Sequence, residues 1–389
     1  MSEIKVNSIK GVAASAAAIT VNNSDGTCTA NITNKPNRNL IINGAMQVAQ
    51  RGTSSTTNGY GSVDRFLVQY SGTNEAPTQS QVDVASGTTP YTLGFRKALR
   101  VTNGDQSGGA GSSDYIEIGH KIEAQDIANS GWNYTNTNSK ITLSFWVKSS
   151  IAQNFYGYIR TRDGTAQNFC IETGSLSQNT WTKITKVISG NANLQFDTDT
   201  TTNAADKGLE IYFTLFMGTD LTNNKSLNSW AAFDGTNHTP DQTSTWYTTN
   251  DATFEITGVQ LEVSDHASDF EFRSFGQEIN LCTRYFQKLQ PTTVGGQNDN
   301  PIAVMANFTN THAYGRIPFF NGIMRTGPSL TSSGCSYFSN GASFTGLTLG
   351  VGGQSESSME VNLTASSGNW TAGHAGWMRG GSFELSAEL

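Results

Sequence analysis

Charged side chains are scarce in this sequence, and their scarcity excludes several classes of partner. Only 14% of the 389 residues are Asp, Glu, Lys or Arg, whereas an average globular protein has about 25%. The 24 basic and 31 acidic residues give a net charge of -7. Nucleic acid and anionic membranes attract basic surfaces, so we expect neither as a partner of this chain.

Long apolar runs are also missing. No stretch approaches the roughly 18 apolar residues of a membrane span, and the N-terminus lacks the basic-then-apolar order of a signal peptide. We therefore expect no membrane insertion, and synthesis in a cytoplasm. The cysteines contain no C-x-x-C pair, so neither a disulfide framework nor a zinc site is indicated. Reduced, buried thiols are expected at Cys28, Cys170, Cys282 and Cys335.

The sequence lacks the motifs of common hydrolases and metal sites. Its five histidines form neither an H-E-x-x-H spacing nor a partner for a G-x-S-x-G nucleophile. Residues 197–208 begin like a calcium loop with Asp197 and Asp199, but Thr202 stands where the loop needs glycine and Gly208 where it needs glutamate. We predict no enzyme activity and no metal ligands, although folding could bring two carboxylates together for glycoside cleavage.

What the sequence has in abundance is an alternating pattern between glycine-, asparagine- and aspartate-rich turns. In ITLSFWVK, Ile141, Leu143, Phe145 and Val147 share one face of an extended chain. Regular strands of this kind, separated by turn residues, predict a β-sandwich. The predicted strands are residues 65–70, 97–102, 115–122, 140–148, 155–161, 167–172, 181–188, 209–217 and 254–263.

The stretch 253–289 changes the character of the chain. Its alternation slips by one residue around Gly258, which predicts a β-bulge. Ser274, with glutamine three residues later, fits a helix capping box, and apolar residues then recur at helical spacing until Pro291. We predict one helix, over residues 275–289.

The pieces NLIINGAM, QRG and VDRF occur at residues 39–46, 50–52 and 63–66, and GVQLEVSDHASDFEFRSFGQEINLCTRYFQ follows at residues 258–287. They resemble the opening and closing signatures of a carbohydrate-binding-module-like sandwich in tail-fibre and receptor-binding proteins of marine, cyanophage-like tailed bacteriophages. RYFQ, FNGIMRTGPSL and FELSAEL resemble the compact C-terminal tip module of such fibres. The resemblance covers nearly the whole chain.

This resemblance implies an all-β fold in four sections. Residues 1–37 are an extended N-terminal segment for virion attachment and trimerisation, and residues 38–273 form a jelly-roll (galactose-binding-like) β-sandwich. Residues 274–290 are the linking helix, and residues 291–389 form a smaller β-rich C-terminal tip domain. Sandwich modules of this family often hold a structural calcium ion, whose ligands have no residue-by-residue match here. No cofactor is predicted, and calcium stays open.

Tryptophan and tyrosine residues are the candidate sugar ligands. An aromatic face stacks on the C–H side of a sugar ring while neighbouring amides and carboxylates bind its hydroxyls. Burial in a core is the alternative for each of these side chains. The candidates in the sandwich are Trp132, Tyr134, Trp230, Trp246 and Tyr247, and those in the tip are Tyr314, Trp370, His374 and Trp377.

These features predict a structural fibre protein of a tailed phage, located in the virion and binding glycans of the host surface. We expect a homotrimer joined to phage tail or other virion proteins through its N-terminal segment. Two alternatives stay open: a capsid or tail decoration protein without a receptor role, and a carbohydrate-degrading tailspike.

Overall fold

The computed structural model describes residues 6–10, 12, 19–21, 24, 28–30, 37–196, 206–290, 301–319, 322–367 and 370–389. Most of the calcium-like segment 197–208 therefore lies outside the described residues. In chain order, the elements up to the end of the sandwich are β1 (Ser8–Ile9), β2 (Ile19–Val21), β3 (Cys28–Ala30), β4 (Ser54–Ser55), β5 (Phe66–Ser71), β6 (Thr78–Asp83), α1 (Thr89–Thr92), β7 (Lys97–Thr102), β8 (Tyr115–Glu123), α2 (Ala124–Ala128), β9 (Lys140–Ser149), β10 (Asn154–Thr161), β11 (Gln167–Ser175), β12 (Thr182–Ser189), β13 (Lys207–Met217), β14 (Trp230–Ala232) and β15 (Thr253–Glu262).

The sandwich consists of two six-stranded antiparallel sheets. Sheet I has the order β12-β9-β15-β7-β6-β4, and sheet II has the order β14-β11-β10-β13-β8-β5, whereas β1, β2 and β3 form a small sheet of their own. Alternate residues of each strand enter the core, where Phe145 of sheet I meets Phe213 of sheet II edge to face at 4.8 Å between ring centroids. The predicted all-β jelly-roll sandwich is confirmed.

The predicted bulge is also present, in the middle of sheet I. The pairing of β15 with β9 shifts register between Thr257 and Gln260, and Gly258 has a φ of +63°. This left-handed conformation favours glycine, which has no Cβ to clash. Val259 and Leu261 therefore return to the core side of the sheet after the slip.

The predicted helix is real but shorter than its apolar pattern. Helix α3 (Phe275–Thr283) begins at the capping box of Ser274 and Gln277, and Arg284 is its C-cap. The prediction of helix as far as residue 289 is wrong, because Phe286–Leu289 forms strand β16 and pairs with residues 383–386. The apolar residues of this segment have a helical spacing, but hydrogen bonding to a strand near the C-terminus determines its backbone conformation.

The tip has two further antiparallel sheets. The small tip sheet has the order β16-β25-β19, and the large tip sheet has the order β21-β20-β24-β17-β18-β23-β22. Their inward side chains build a second core, separate from that of the sandwich. The remaining strands are β17 (Pro301–Asn307), β18 (His312–Pro318), β19 (Ser329–Ser333), β20 (Ser336–Ser339), β21 (Ala342–Phe344), β22 (Thr348–Gln354), β23 (Ser358–Thr364), β24 (Ala375–Arg379) and β25 (Ser382–Ser386).

A cluster of charged and aromatic side chains, here called the junction, fastens the tip to the sandwich. The Glu388 carboxylate accepts hydrogen bonds from Arg65 and, at 3.1 Å, from Arg51. The Arg65 guanidinium lies 3.4 Å from the ring centroid of Tyr285, and that of Arg51 lies 3.6 Å from Phe286. Arg65 is only 1% exposed, so its charge depends on these neighbours for compensation.

Glu388→Gln should destabilise the protein strongly. The substitution preserves the shape of the side chain but leaves the buried Arg65 without a counter-charge, which typically costs about 3–5 kcal/mol. The expected result is a lower midpoint of urea unfolding. Glu384→Gln is the matched control, because Glu384 pairs with Lys288 nearer the surface, with 34% of its side chain exposed, and such pairs contribute about 1 kcal/mol or less. Equal effects of the two substitutions would contradict the role given to the junction.

Candidate functional site

The outer face of sheet I carries a groove of about 290 Å³, here called the aromatic groove. Two segments that leave the sheet, residues 84–96 and 264–273, fold back over this face and bring three phenylalanine rings together. Phe95, Phe270 and Phe272 contact one another with ring centroids 4.9 to 5.1 Å apart. Lining the groove are Leu93, Phe95, Ser144, Trp146, Lys183, Gly258, Ser268, Asp269, Phe270 and Phe272.

The β-bulge shapes the floor of the aromatic groove. A Cβ at Gly258 would lie 2.7 Å from the Phe95 ring and 3.2 Å from the Trp146 ring. Any larger residue would force these two rings apart. The glycine at the phase slip therefore has a second consequence, since it permits aromatic side chains of two segments to close over the strand.

The groove combines partly exposed rings with polar groups at its edge. Phe272 is 46% exposed and Leu93 is 52% exposed, while Trp146 is half-buried. Lys183 and Asp269 are exposed at the edge, and Ser144 lies below them. Such a site offers stacking surface together with a cation, a carboxylate and a hydroxyl, which suits a ligand with both C–H faces and hydroxyl groups.

Four of the nine predicted sugar ligands lie in cores, and for these the prediction needs correction. Trp246 and Tyr247 are fully buried, and Trp132 and Trp370 are 3% and 4% exposed. Tyr247 stacks on Phe216 at 4.4 Å and donates a hydrogen bond to Asp114. Aromatic residues of long polar loops here fill the core, so their ring faces are not open to a ligand.

The other five candidates retain some exposure but do not form one site. Tyr134 is half-buried against Phe196 and Trp132. Trp230 lines a polar depression with Gln167, Asn193 and Gln195 at the edge of sheet II. The remaining three, Tyr314, His374 and Trp377, lie on the large tip sheet or at its end.

None of the residues that line the aromatic groove is among the sugar ligands predicted from the sequence. Phe270 and Phe272 are part of the DFEF piece that follows the last sandwich strand, and Trp146 is the aromatic residue on the outward face of ITLSFWVK. The outward position of Trp146 was the available signal, because an aromatic side chain on the solvent side of an amphipathic strand needs a covering segment or a ligand.

The outer face of sheet II is covered instead of open. Residues from the long loop 218–250 lie over it, and His238 contacts the ring of Tyr158 edge-on at 5.0 Å. Tyr158 stacks on Tyr212 and donates a hydrogen bond to Glu117 at 3.1 Å. Burial raises the pKa of Glu117 from 4.5 to about 8, so this carboxyl group is protonated at neutral pH.

Replacing Glu117 with glutamine should remove a pH-dependent loss of stability. Because folding raises this pKa, the folded state holds a proton that the unfolded state releases between pH 4.5 and about 8. The stabilisation that the Glu117 carboxyl group gives to the folded state is complete below pH 4.5 and is lost as the pH rises to about 8. The free energy of unfolding falls by at most about 1.4 kcal/mol per pH unit over this range. We expect Glu117→Gln to raise the urea midpoint clearly at about pH 8 and far less at about pH 5.

Comparison of variants at each pH isolates this effect from other buried groups. His120 is buried with its pKa lowered by desolvation, and it acts with the opposite sign, losing stability as the pH falls. It is unchanged between the two proteins. Glu356→Gln, at an exposed position, serves as the control. A gain for Glu117→Gln that is equal at the two pH values would refute the raised pKa.

Among the residues that the structure describes, there is no candidate metal site and no helix that could span a membrane. They contain no group of three or more His, Cys, Asp and Glu side chains arranged to hold a metal ion. None of their helices has the length and apolar character needed to cross a membrane. Cys170 and Cys282 are buried free thiols, and Cys335 is half-buried.

No protein-family model matches the chain, and no curated protein matches it in sequence. Several solved structures match 55% to 58% of this chain and nearly all of their own length. A CBM4 protein has 14% identity and a TM-score of 0.29, covering 58% of this chain and 99% of its own. TmCBM61 in complex with β-1,4-galactotriose has 9% identity and a TM-score of 0.27, covering 58% and 99%. A family 11 carbohydrate-binding module from Clostridium thermocellum, in complex with a β-1,3-1,4-mixed-linked tetrasaccharide, has 12% identity and a TM-score of 0.25, covering 55% and 98%.

Proposed function

We propose that this chain binds glycans through the aromatic groove and serves as a host-contacting fibre protein in the virion of a tailed phage. The observation that carries the glycan proposal is the pairing of partly exposed rings, at Phe272 and Trp146, with the exposed polar groups of Lys183 and Asp269. Ring faces alone would suit any apolar ligand. The charged groups of Lys183 and Asp269 at the edge, with the Ser144 hydroxyl below them, favour a sugar.

The fibre role is supported by the sequence pieces that resemble phage fibres, and by the low charge of the chain. A polar but weakly charged surface keeps a β-rich protein soluble without strong attraction to nucleic acid or membranes. In this role residues 1–37 join the other virion proteins, the sandwich is the body and residues 291–389 are the outer tip.

Weak sites are compatible with firm attachment when the fibre is a homotrimer. A single shallow groove with a dissociation constant near 1 mM contributes about -4 kcal/mol. Linked copies raise the effective affinity by about 10²- to 10⁴-fold when the geometry lets them bind together. A particle that carries several fibres therefore needs only modest affinity in each groove.

Phe272→Ala should weaken glycan binding about fivefold or more, which corresponds to the loss of about 1 kcal/mol of ring stacking. The measurement is affinity electrophoresis against a panel of soluble neutral polysaccharides. Phe275→Ala is the matched control, because Phe275 lies three residues further on, is 56% exposed and lies outside the groove. If no polysaccharide retards the wild-type protein, or if both substitutions weaken binding equally, the groove is not the binding site.

The purified full chain should sediment as a trimer at micromolar concentration. Analytical ultracentrifugation gives the mass directly, and the same experiment on a chain lacking residues 1–37 tests whether that segment drives association. A wild-type monomer would remove the homotrimer from the proposal. Glycan binding by the groove would be unaffected by that outcome, since each groove is formed within one chain.

A further inference from the structure

The large tip sheet has one face packed on the tip core and one open face. In β17, Ala303 and Met305 point into the core, whereas Val304 between them is 64% exposed. The same alternation in the neighbouring strands places a band of side chains on the open face. This band, here called the tip platform, consists of Phe338, Trp377, Arg379, Val304, Tyr314, Arg316, Glu360 and Asn362.

One half of the tip platform is aromatic. Phe338 and Trp377 are cross-strand partners, with ring centroids 4.8 Å apart. The Arg379 guanidinium lies over the Phe338 ring at 4.3 Å. On the other side of β17, Tyr314 is 38% exposed. The rings therefore form a broad surface and not a closed pocket.

The other half of the tip platform is polar, and glycines in the neighbouring strand β22 leave space for its side chains. A Cβ at Gly350 would lie 2.1 Å from Asn362 Oδ1, and one at Gly352 would lie 2.2 Å from Glu360 Oε1. The side chains of Asn362 and Glu360 can therefore lie across the neighbouring strand β22 without obstruction. Arg316, the cross-strand partner of Glu360, receives its orientation from two hydrogen bonds to Ser358 Oγ, at 3.0 and 2.7 Å.

We propose that the tip platform binds an extended acidic polysaccharide, laid across the strands of the large tip sheet. From Trp377 to Glu360 the platform crosses three strand spacings, about 14 Å, which accommodates a short oligosaccharide. Rings at one end stack on sugar faces, and Asn362 and Glu360 bind hydroxyls at the other. Two of the three charged side chains named on the platform are guanidinium groups, which match the carboxylates of uronic acids. This local excess of positive charge contrasts with the overall charge of -7.

The experiment compares polygalacturonate with its methyl-esterified form, using the full chain in isothermal titration calorimetry at low and high salt. The wild-type protein should bind the acidic polymer about fivefold or more tightly than the ester, and added salt should reduce this preference. Trp377→Ala should weaken binding of the acidic polymer about tenfold or more. Arg316→Gln should weaken binding of the acidic polymer about fivefold and leave binding of the ester unchanged.

Three control variants test whether binding of the acidic polymer belongs to the tip platform. Phe275→Ala removes an exposed ring outside the platform, and Lys97→Gln removes one surface charge from the sandwich. Both should bind the acidic polymer as the wild-type protein does. Phe272→Ala disables the aromatic groove and should also leave this binding unchanged, so failure of the groove and failure of the platform are distinguishable.

Three outcomes overturn the proposal. The first is equal binding of acid and ester by the wild-type protein. The second is a Trp377→Ala variant that binds the acidic polymer as tightly as the wild-type protein. The third is a Trp377→Ala variant whose only change is in oligomeric mass, which would assign the open face to a second copy of the chain.

Discussion

The burial of Arg65 is the constraint on which the arrangement of the two cores depends. A guanidinium removed from water needs a counter-charge and hydrogen-bond acceptors, and it finds them in the Glu388 carboxylate, the Lys121 carbonyl and the face of Tyr285. Further bonds reinforce the same contact, because Lys121 donates to the Leu389 oxygen and Gln50 donates to the Phe286 carbonyl. The tip is therefore attached by many polar groups around one buried cation.

The sequence pieces that resemble phage fibres build this junction and the closure of the sandwich. Asn39 accepts a hydrogen bond from the Leu261 amide, and Asn43 donates to the carbonyls of Val48 and Asp64. Arg51 and Arg65 belong to QRG and VDRF. The opening motifs are thus explained by the way the chain is fastened together, whereas the piece at residues 258–287 also supplies Gly258, Phe270 and Phe272 to the aromatic groove.

Several of the few charged side chains of this protein lie inside the structure. Glu255, with 3% of its side chain exposed, lies 2.7 Å from both Arg100 and Lys148. Glu123 is fully buried and pairs with Arg284 at 2.8 Å. Such pairs hold strands in register, and the low charge content of the sequence leaves a surface that is rich in uncharged polar residues. A weakly charged surface of this kind suits contact with sugars and does not attract polyanions in general. The tip platform differs, because it carries two arginines and one glutamate.

Features that depend on neighbouring residues could be read from the sequence, whereas exposure of the aromatic rings could not. Alternation predicted nine of the twelve strands of the sandwich and missed β4, β6 and β14. The phase slip located the bulge at Gly258, and the capping box located the start of α3, because backbone geometry repeats every two or 3.6 residues. The end of α3 was not predicted by these signals, since β16 is specified by its distant partner β25.

Trp246 and Tyr247 stand in a polar loop, yet the path of that loop carries them into the core. Phe270 and Phe272, close to the last sandwich strand, line an open groove together with Phe95 from far earlier in the chain. Whether a ring is exposed depends on which distant segment folds over it, and a local pattern of residues holds no information about that segment.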